Sequence, residues 1–404
     1  MSRNVCGGQK AGTWLVVADG IHYGGGMERA NAAFAKYLTE IGASVHLVSY
    51  RIEPSLAIHP MVTAREIPML AGSATLGIWR LDRIGRRIAS ELKAREPETR
   101  VVVNGTNCDW PDINWIHYVH HAWNARVEAA PLWYKARTMA ERQINLRRER
   151  RILPRARILI ANSERTRNDL LTHLQVSAER VRTIYLGTDD DWREMTVARR
   201  DEARLRFGQP PEVPLVIFVG AMGYDLRKGF DTLWRAWQEL CANPDWDARL
   251  IVAGGGRRVK SWRQRVANSG LSWRVQIIGF VEKVSDLIAA ADLLVSPVRY
   301  EAYGLNVQEA LCCGVPAIVS ASAGVAEQYS NELQELLLSN PDDPHELAAR
   351  MSNWRARMDT FKSLTAPVAE RLRSHNWRDM AAQIVALARS DAATQIDSRS
   401  DSPQ

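Results

Sequence analysis

In RYEAYGLNVQEALCCGVPAIVS, residues 299–320, two carboxylates, Glu301 and Glu309, stand eight residues apart among apolar, small and turn-forming neighbours. Val307, Ala310 and Leu311 recur at the spacing of one buried helix face, and Gly304 interrupts regular structure ahead of them. A short helix is therefore expected from near Asn306. It should end at Gly314, which takes a left-handed cap without a Cβ penalty, and Pro316 forbids its continuation. AIVS then reads as a buried strand, and DLLVSPV before it as another. Glu301 falls on the loop leaving that earlier strand and Glu309 in the first helical turn, both at the sheet edge where open α/β folds bind ligands.

Two explanations fit the carboxylates. Asn306 followed three residues later by Glu309 has the form of a capping box, which accounts for Glu309 alone. A hydroxyl-rich ligand spanning both carboxylates, with an anionic group on the helix N-terminus between them, uses every feature. A nucleotide-sugar has that shape, with hydroxyls at each end and a diphosphate in the middle.

Working outward, the 404 residues suggest two domains of ordinary size, and 46% apolar with 25% charged residues is a globular composition. The net charge of +7 is compatible with anionic ligands or an anionic membrane surface and does not by itself indicate nucleic acid. Much of the excess lies in ERQINLRRERRILPRAR, residues 141–157, whose spacing suits a solvated helix face, with attraction to a membrane as the alternative. Five cysteines, with Cys312 and Cys313 adjacent, form neither a disulfide framework nor a C-x-x-C metal pattern. A cytoplasmic chain is expected, without a signal peptide or spanning helix.

TWLVVADG ends in the glycine-rich turn IHYGGGMER, and a helical pattern and the strand SVHLVSY follow, which makes a βαβ unit. Ile78, Leu81, Ile84, Ile88 and Leu92 form a helix stripe; RVVVNG, NWIHYVHH, RILIANS and RVRTIYLG supply further strands. After TIYLGTDDDWRE an Arg-rich helical stretch runs to about Gly208, and strands and helices then alternate again from PLVIFVGA. Two doubly wound α/β halves are expected.

ANSERTRNDL, TIYLGTDDDW, VGAMGYDLRKGFDTL, IVAGGG, VQIIGFVEKVSDLIAAADLLVSP and YEAYGLNVQEALCCGVPAI occur in an order that resembles the retaining glycosyltransferases of family 4, whose last motif is E-x7-E. The resemblance implies the GT-B architecture, two Rossmann-like domains facing a cleft. It places an N-terminal acceptor-binding domain at 1–190 and a C-terminal nucleotide-sugar domain at 191–375; the amphipathic pattern of the end of the chain suggests a helix at 376–390, packing back toward the first domain, and its polar composition a disordered tail at 391–404. The resemblance also implies transfer of a hexose-type sugar from a UDP- or GDP-sugar, retention at the anomeric carbon, and no metal or other cofactor. The acceptor expected is a hydroxyl of a cell-surface polysaccharide or glycolipid intermediate, with peripheral contact at the inner face of an anionic membrane.

Carried over by position, Glu301 would contact hydroxyls of the transferred sugar and Glu309 the ribose. Backbone N–H groups around Tyr303, Gly304 and Leu305 would face sugar and diphosphate. Arg227 and Lys228 would neutralise the leaving diphosphate, which matters because the family's arginine after the strand glycine is here Ala221. Gly24, Gly25 and Gly26 match the glycine-rich loop of the first domain, and a dinucleotide reading of that loop fails because VHLVSY ends without an acid. His120 matches the active-site histidine, with His121 and His117 as substitutes. Asp189, Asp190 and Asp191 mimic a metal-binding D-x-D triplet but fall where the family changes domain, which favours a solvated linker. An epimerase of the same architecture, or a silent partner of an active transferase, are the alternatives.

Overall fold

The computed structural model describes residues 11–69, 74–127, 130–189, 192 and 196–400. The chain forms two compact units. One comprises Met1–Ala122, Met139–Gly187 and Trp377–Gln404, and the other Trp123–Thr138 with Thr188–Asn376.

In the first unit β1 (Thr13–Val17), β2 (Ser44–Ser49), β3 (Val62–Glu66), β4 (Arg100–Asn104), β5 (Ile113–Ile116), β6 (Ile158–Ala161) and β7 (Val181–Thr183) form one sheet. Their order is β3-β2-β1-β4-β5-β6-β7 and every pair is parallel. In the second unit β8 (Leu215–Val219), β9 (Arg249–Ala253), β10 (Val275–Gly279), β11 (Leu293–Ser296), β12 (Ala317–Ser320) and β13 (Leu337–Leu338) lie in the order β10-β9-β8-β11-β12-β13, again parallel. Central strands such as TWLVV and LLVS are buried along their whole length because helices cover both faces of each sheet. Strand order reverses between β1 and β4 in one sheet and between β8 and β11 in the other, and each reversal opens a crevice at the strands' carboxyl ends.

The opposite end of the second sheet is closed by a buried cation. Arg204, 1% exposed, donates to the carbonyls of Ala290 (2.6 Å), Pro210 (2.7 Å) and Val213 (2.6 Å) and pairs with Asp292, whose carboxylate also accepts from the Leu215 amide at 2.8 Å. The Arg-rich helix Val197–Arg206 is thereby locked to the amino ends of β8 and β11.

Several expectations are corrected. Residues 123–138 belong to the second unit although they lie within the first half of the sequence. Trp123 stacks on Tyr300 (6.3 Å between centroids), Arg126 pairs with Asp342 at 2.8 Å and Tyr134 packs on Tyr224 at 5.0 Å. The Arg-rich run is a solvated face only in part: Arg147, Arg150, Arg151 and Arg155 are exposed, but Arg148 is 3% exposed and donates to the Thr106 carbonyl, and Arg151, Arg155 and Arg157 pair with Asp109 and Asp112. β3 was missed because as an edge strand it exposes three of its five residues and carries charge. The helix Trp377–Ser400 continues through 391–400, where composition suggested disorder, since DAATQIDSRS contains no Gly or Pro to break a helix already under way. Residues 401–404 of that tail lie outside the described residues.

Candidate active site

The loop after β8 has to turn sharply into the helix Phe230–Ala242, and Gly229 makes the turn at φ 70°. A Cβ there would lie 1.8 Å from the Pro297 carbonyl oxygen, so only glycine lets this loop approach the one that follows β11. Leu226 also has positive φ, 52°, a conformation that strains a side chain with a Cβ by about 1–2 kcal/mol. Arg299 holds it there. The Arg299 guanidinium donates to the Leu226 carbonyl, to both oxygens of Asp231 (2.8 Å each), to Thr232 Oγ1 (3.2 Å) and to Asp342 (2.6 Å). Its own amide donates to the Arg227 carbonyl at 2.8 Å. Burial opposes its charge, yet the bonds and charges of Asp231 and Asp342 outweigh that and make this guanidinium more basic than an ordinary arginine.

So fastened, the loops bring Arg227, Lys228 and Glu301 together. Lys228 Nζ donates to Glu301 Oε2, and Arg227 Nη1 lies 3.6 Å from the same oxygen and donates to the Tyr300 carbonyl at 3.4 Å. All three side chains are part-buried, so the charges interact through a medium that screens them less than bulk water.

The helix behind them runs Leu305–Cys312, one residue earlier than expected. Gly304, at φ 121°, is its N-cap, and a Cβ there would meet Val325 Cγ1 at 2.9 Å. Glu309 is accordingly the fifth helical residue, in the second turn rather than the first. The capping-box explanation falls with this shift, because Asn306 does not cap: its Nδ2 donates to the Val219 carbonyl at 3.0 Å and ties the helix to the end of β8. The helix ends as expected, with Val315 N–H bonded to Ala310 O (2.9 Å) and Gly314 N–H to Leu311 O (2.8 Å) in a Schellman closure. Glu309 is 7% exposed. The Tyr303 ring is buried with its hydroxyl on Gln308, so it is the backbone of Tyr303, Gly304 and Leu305 that the loop can offer a ligand.

In the first unit, His120 and His121 share one carboxylate. Glu149, 1% exposed, accepts from the His120 amide (2.6 Å) and pairs with His120 Nδ1 (2.8 Å) through one oxygen; through the other it accepts from the His121 amide (3.1 Å) and pairs with His121 Nδ1 (2.7 Å). Burial pushes the Glu149 carboxyl up, but the His120 and His121 bonds outweigh it and leave the carboxyl more acidic than an ordinary glutamate. An ionised Glu149 makes each Nδ1 a donor, which leaves Nε2 as the second nitrogen of each ring. The His120 side chain is 32% exposed and that of His121 only 9%. Desolvation of its ring pushes the His117 pKa down to about 3, which keeps it neutral.

Gly25 caps the helix Gly26–Glu40, and a Cβ on it would lie 2.3 Å from Glu28 Oε2. At the end of β1, burial and then the neighbouring Glu28 raise the Asp19 pKa to about 6. Because the folded value lies above the ordinary 3.8, Asp19 costs stability increasingly as pH rises from about 4 to 6, and fully beyond. Asp19→Asn is expected to raise the midpoint of thermal unfolding at pH 8 and to change it little near pH 4; equal shifts at both would exclude this charge as the cause. Of the aspartate triplet, Asp189 accepts from Trp192 Nε1 at 3.3 Å, and Asp190 and Asp191 lie outside the described residues.

The family description Glycosyltransferase Family 4 matches residues 24–192, and Glycosyl transferases group 1 matches residues 213–356. The chain belongs to glycosyltransferase family 4. It is 31% identical over 180 residues to the alpha-D-kanosaminyltransferase of Streptomyces kanamyceticus, covering 44% of this chain and 46% of that protein. The chain spans about half the length of the curated relatives it matches, 46–58% for the first of them. Its GT-B fold is shared with the sucrose-phosphate synthase of Thermosynechococcus elongatus, at TM-score 0.73 and 22% identity, over 95% of this chain and 99% of that one. It is shared also with Anabaena HepE, solved in complex with UDP and glucose, at TM-score 0.69 and 17% identity over 95% and 100%.

In this family-4 chain the sequence reading missed Arg299, Asp231, Glu149 and Asp19. Glu149 left one readable trace, a single acid inside an arginine run. No helix among the described residues is long and apolar enough to cross a membrane.

Proposed function

We propose that this protein is a retaining, metal-independent glycosyltransferase that moves a hexose from a UDP- or GDP-sugar to an acceptor hydroxyl. The observation that carries the reading is the contact of Lys228 and Arg227 with Glu301 at the reversal point of the second sheet, in a family-4 chain. The donor diphosphate would take over the two cations, which relieves its developing negative charge as the sugar bond breaks. Glu301, released from them, would accept from sugar hydroxyls, the backbone of Tyr303, Gly304 and Leu305 would meet sugar and diphosphate, and Glu309 would hold the ribose.

His120 would serve near the reacting carbon through its carbonyl or Nε2, with Glu149 fixing its ring. Gly25 and Gly26 would meet the substrate by close backbone approach. With Glu28 and Asp19 beside them, a hydroxyl suits that loop better than phosphate. The acceptor we favour is a cell-surface polysaccharide or glycolipid intermediate, made on the cytoplasmic side. The membrane part of that choice rests on net charge and on the exposed Arg147 and Arg150, because Arg148, Arg151, Arg155 and Arg157 of the 141–157 run are matched by aspartates and a carbonyl.

Thermal unfolding with UDP, GDP and ADP, each in EDTA and in excess magnesium, tests the reading. A nucleotide at about 100 times its dissociation constant stabilises the native state by roughly 2.7 kcal/mol. Stabilisation by one nucleotide in EDTA is expected. A response that required magnesium would overturn metal independence, and no response to any nucleotide would overturn the donor site.

A further inference from the structure

The second unit holds a cation that the proposed chemistry has not used. Arg258 lies on the loop after β9, the neighbour of β8, and caps the helix Val259–Asn268. Its amide donates to the Met222 carbonyl at 3.0 Å, which fixes it against the loop that carries Arg227 and Lys228. Its guanidinium lies over the Trp262 ring at 5.0 Å from the centroid, and Arg265 lies at 5.0 Å from the same ring. Trp262 is buried and meets Phe230 edge-on at 4.9 Å, and Phe230 is the residue after Gly229. Arg258 is therefore mounted on the ring that backs the start of the Phe230–Ala242 helix.

What surrounds this charge is unusual. Asp231 is the carboxylate acting on it, and both oxygens of Asp231 are bonded to Arg299. Among the described residues no carboxylate lies within ion-pairing distance of Arg258. Burial, and then the neighbouring Arg265, hold its pKa below that of an ordinary arginine against the opposing pull of Asp231 and Tyr224. Arg227 and Lys228, by contrast, are matched by Glu301. A part-buried, unmatched guanidinium on a rigid aromatic mount at the carboxyl end of parallel strands is arranged for an anion that arrives from outside the protein. Ala221, exposed and next to Met222, puts no charge or bulk in the way.

We infer that Arg258 is a further diphosphate-binding residue, supplying from the β9 loop a charge additional to the pair on the β8 loop. The inference rests on the nucleotide-sugar reading and deepens it: the ligand is the phosphate chain of the donor, and Trp262 orients the arginine without touching the ligand. The blander account is that Arg258 only packs on Trp262.

Calorimetric titration of the full chain in EDTA separates the two. The nucleoside diphosphate that best stabilises the native protein is compared with its monophosphate and its nucleoside, for native protein, Arg258→Gln and Arg258→Lys. Glutamine keeps a planar group on Trp262 without the charge. Arg258→Gln is expected to lose about 10-fold or more in affinity for the diphosphate, little for the nucleoside, and part of the salt dependence. Arg258→Lys should recover most of the loss, which a packing role would not produce. A folded Arg258→Gln that binds the diphosphate as the native protein does would overturn the assignment. Should native protein itself bind none of the nucleotides, the donor reading fails first, and that outcome is distinct.

Discussion

Glu301→Ala is expected to reduce sugar transfer by about 10²–10³-fold, the range for removing one preorganised polar contact to a reacting centre. Nucleoside diphosphate should still bind, and more tightly than to native protein. Lys228 and Arg227 both converge on Glu301, so a diphosphate must displace that carboxylate before it gains the two cations. Without Glu301 this competition disappears, while the acceptor for the sugar hydroxyls is lost with it. The result to look for is thus a split, with turnover down and product-nucleotide affinity up, measured by steady-state transfer and by titration. Undiminished turnover would remove Glu301 from the mechanism; weaker nucleotide binding would mean that it supports the cations rather than competes for them.

Arg299→Ala should be the most destabilising single change near the site. The side chain is 6% exposed and holds Asp231 with two bonds of 2.8 Å, so its removal leaves a part-buried carboxylate without its cation. Breaking a fully buried pair costs about 3–5 kcal/mol, and the loss here is expected at or below the lower end of that range because Asp231 is 17% exposed. The Asp342 contact adds less, because that side chain is 35% exposed and water can replace the arginine. The loss also frees the Leu226 carbonyl, and with it the strained turn that presents Arg227 and Lys228. Urea unfolding should show the stability loss, and nucleotide titration of the fraction still folded should show weaker binding. Lysine at this position should not restore either, since one ammonium cannot make the two-oxygen contact with Asp231. Native-like stability in Arg299→Ala would contradict the pairing described here.

The doubly wound fold was legible because its central strands are continuous apolar runs and its turns carry their own chemistry. Gly304, Gly314 and Pro316 bound one helix so tightly that its start was misplaced by a single residue. That one residue nevertheless mattered, because it moved Glu309 out of the first turn and removed the capping box as its explanation. Arg227, Lys228 and Glu301 could be placed together because each follows a strand of one sheet, and parallel topology sends all such loops to the same edge.

Arg299 stood at the head of the very stretch that was read first, yet its work depends on Asp231, 68 residues away, and on a backbone turn at Leu226 that no residue type announces. Glu149 was hidden for a similar reason. In sequence it is one acid among arginines, and only the helix's direction buries it beneath His120 and His121. The arginine run was legible only in part, since helical spacing cannot tell a solvated cation such as Arg150 from one that Asp109 or Asp112 matches across the fold. Long-range ion pairing is the part of this protein that periodicity does not encode.

Amide hydrogen exchange with and without saturating UDP or GDP, in EDTA, tests the donor-site assignment most directly. Added protection is predicted in the second unit at residues 220–231 and 299–309, which include Arg227, Lys228, Glu301 and Glu309, with a smaller change at 255–260 around Arg258. Protection confined to the first unit, or none under conditions where binding is saturated, would contradict the account.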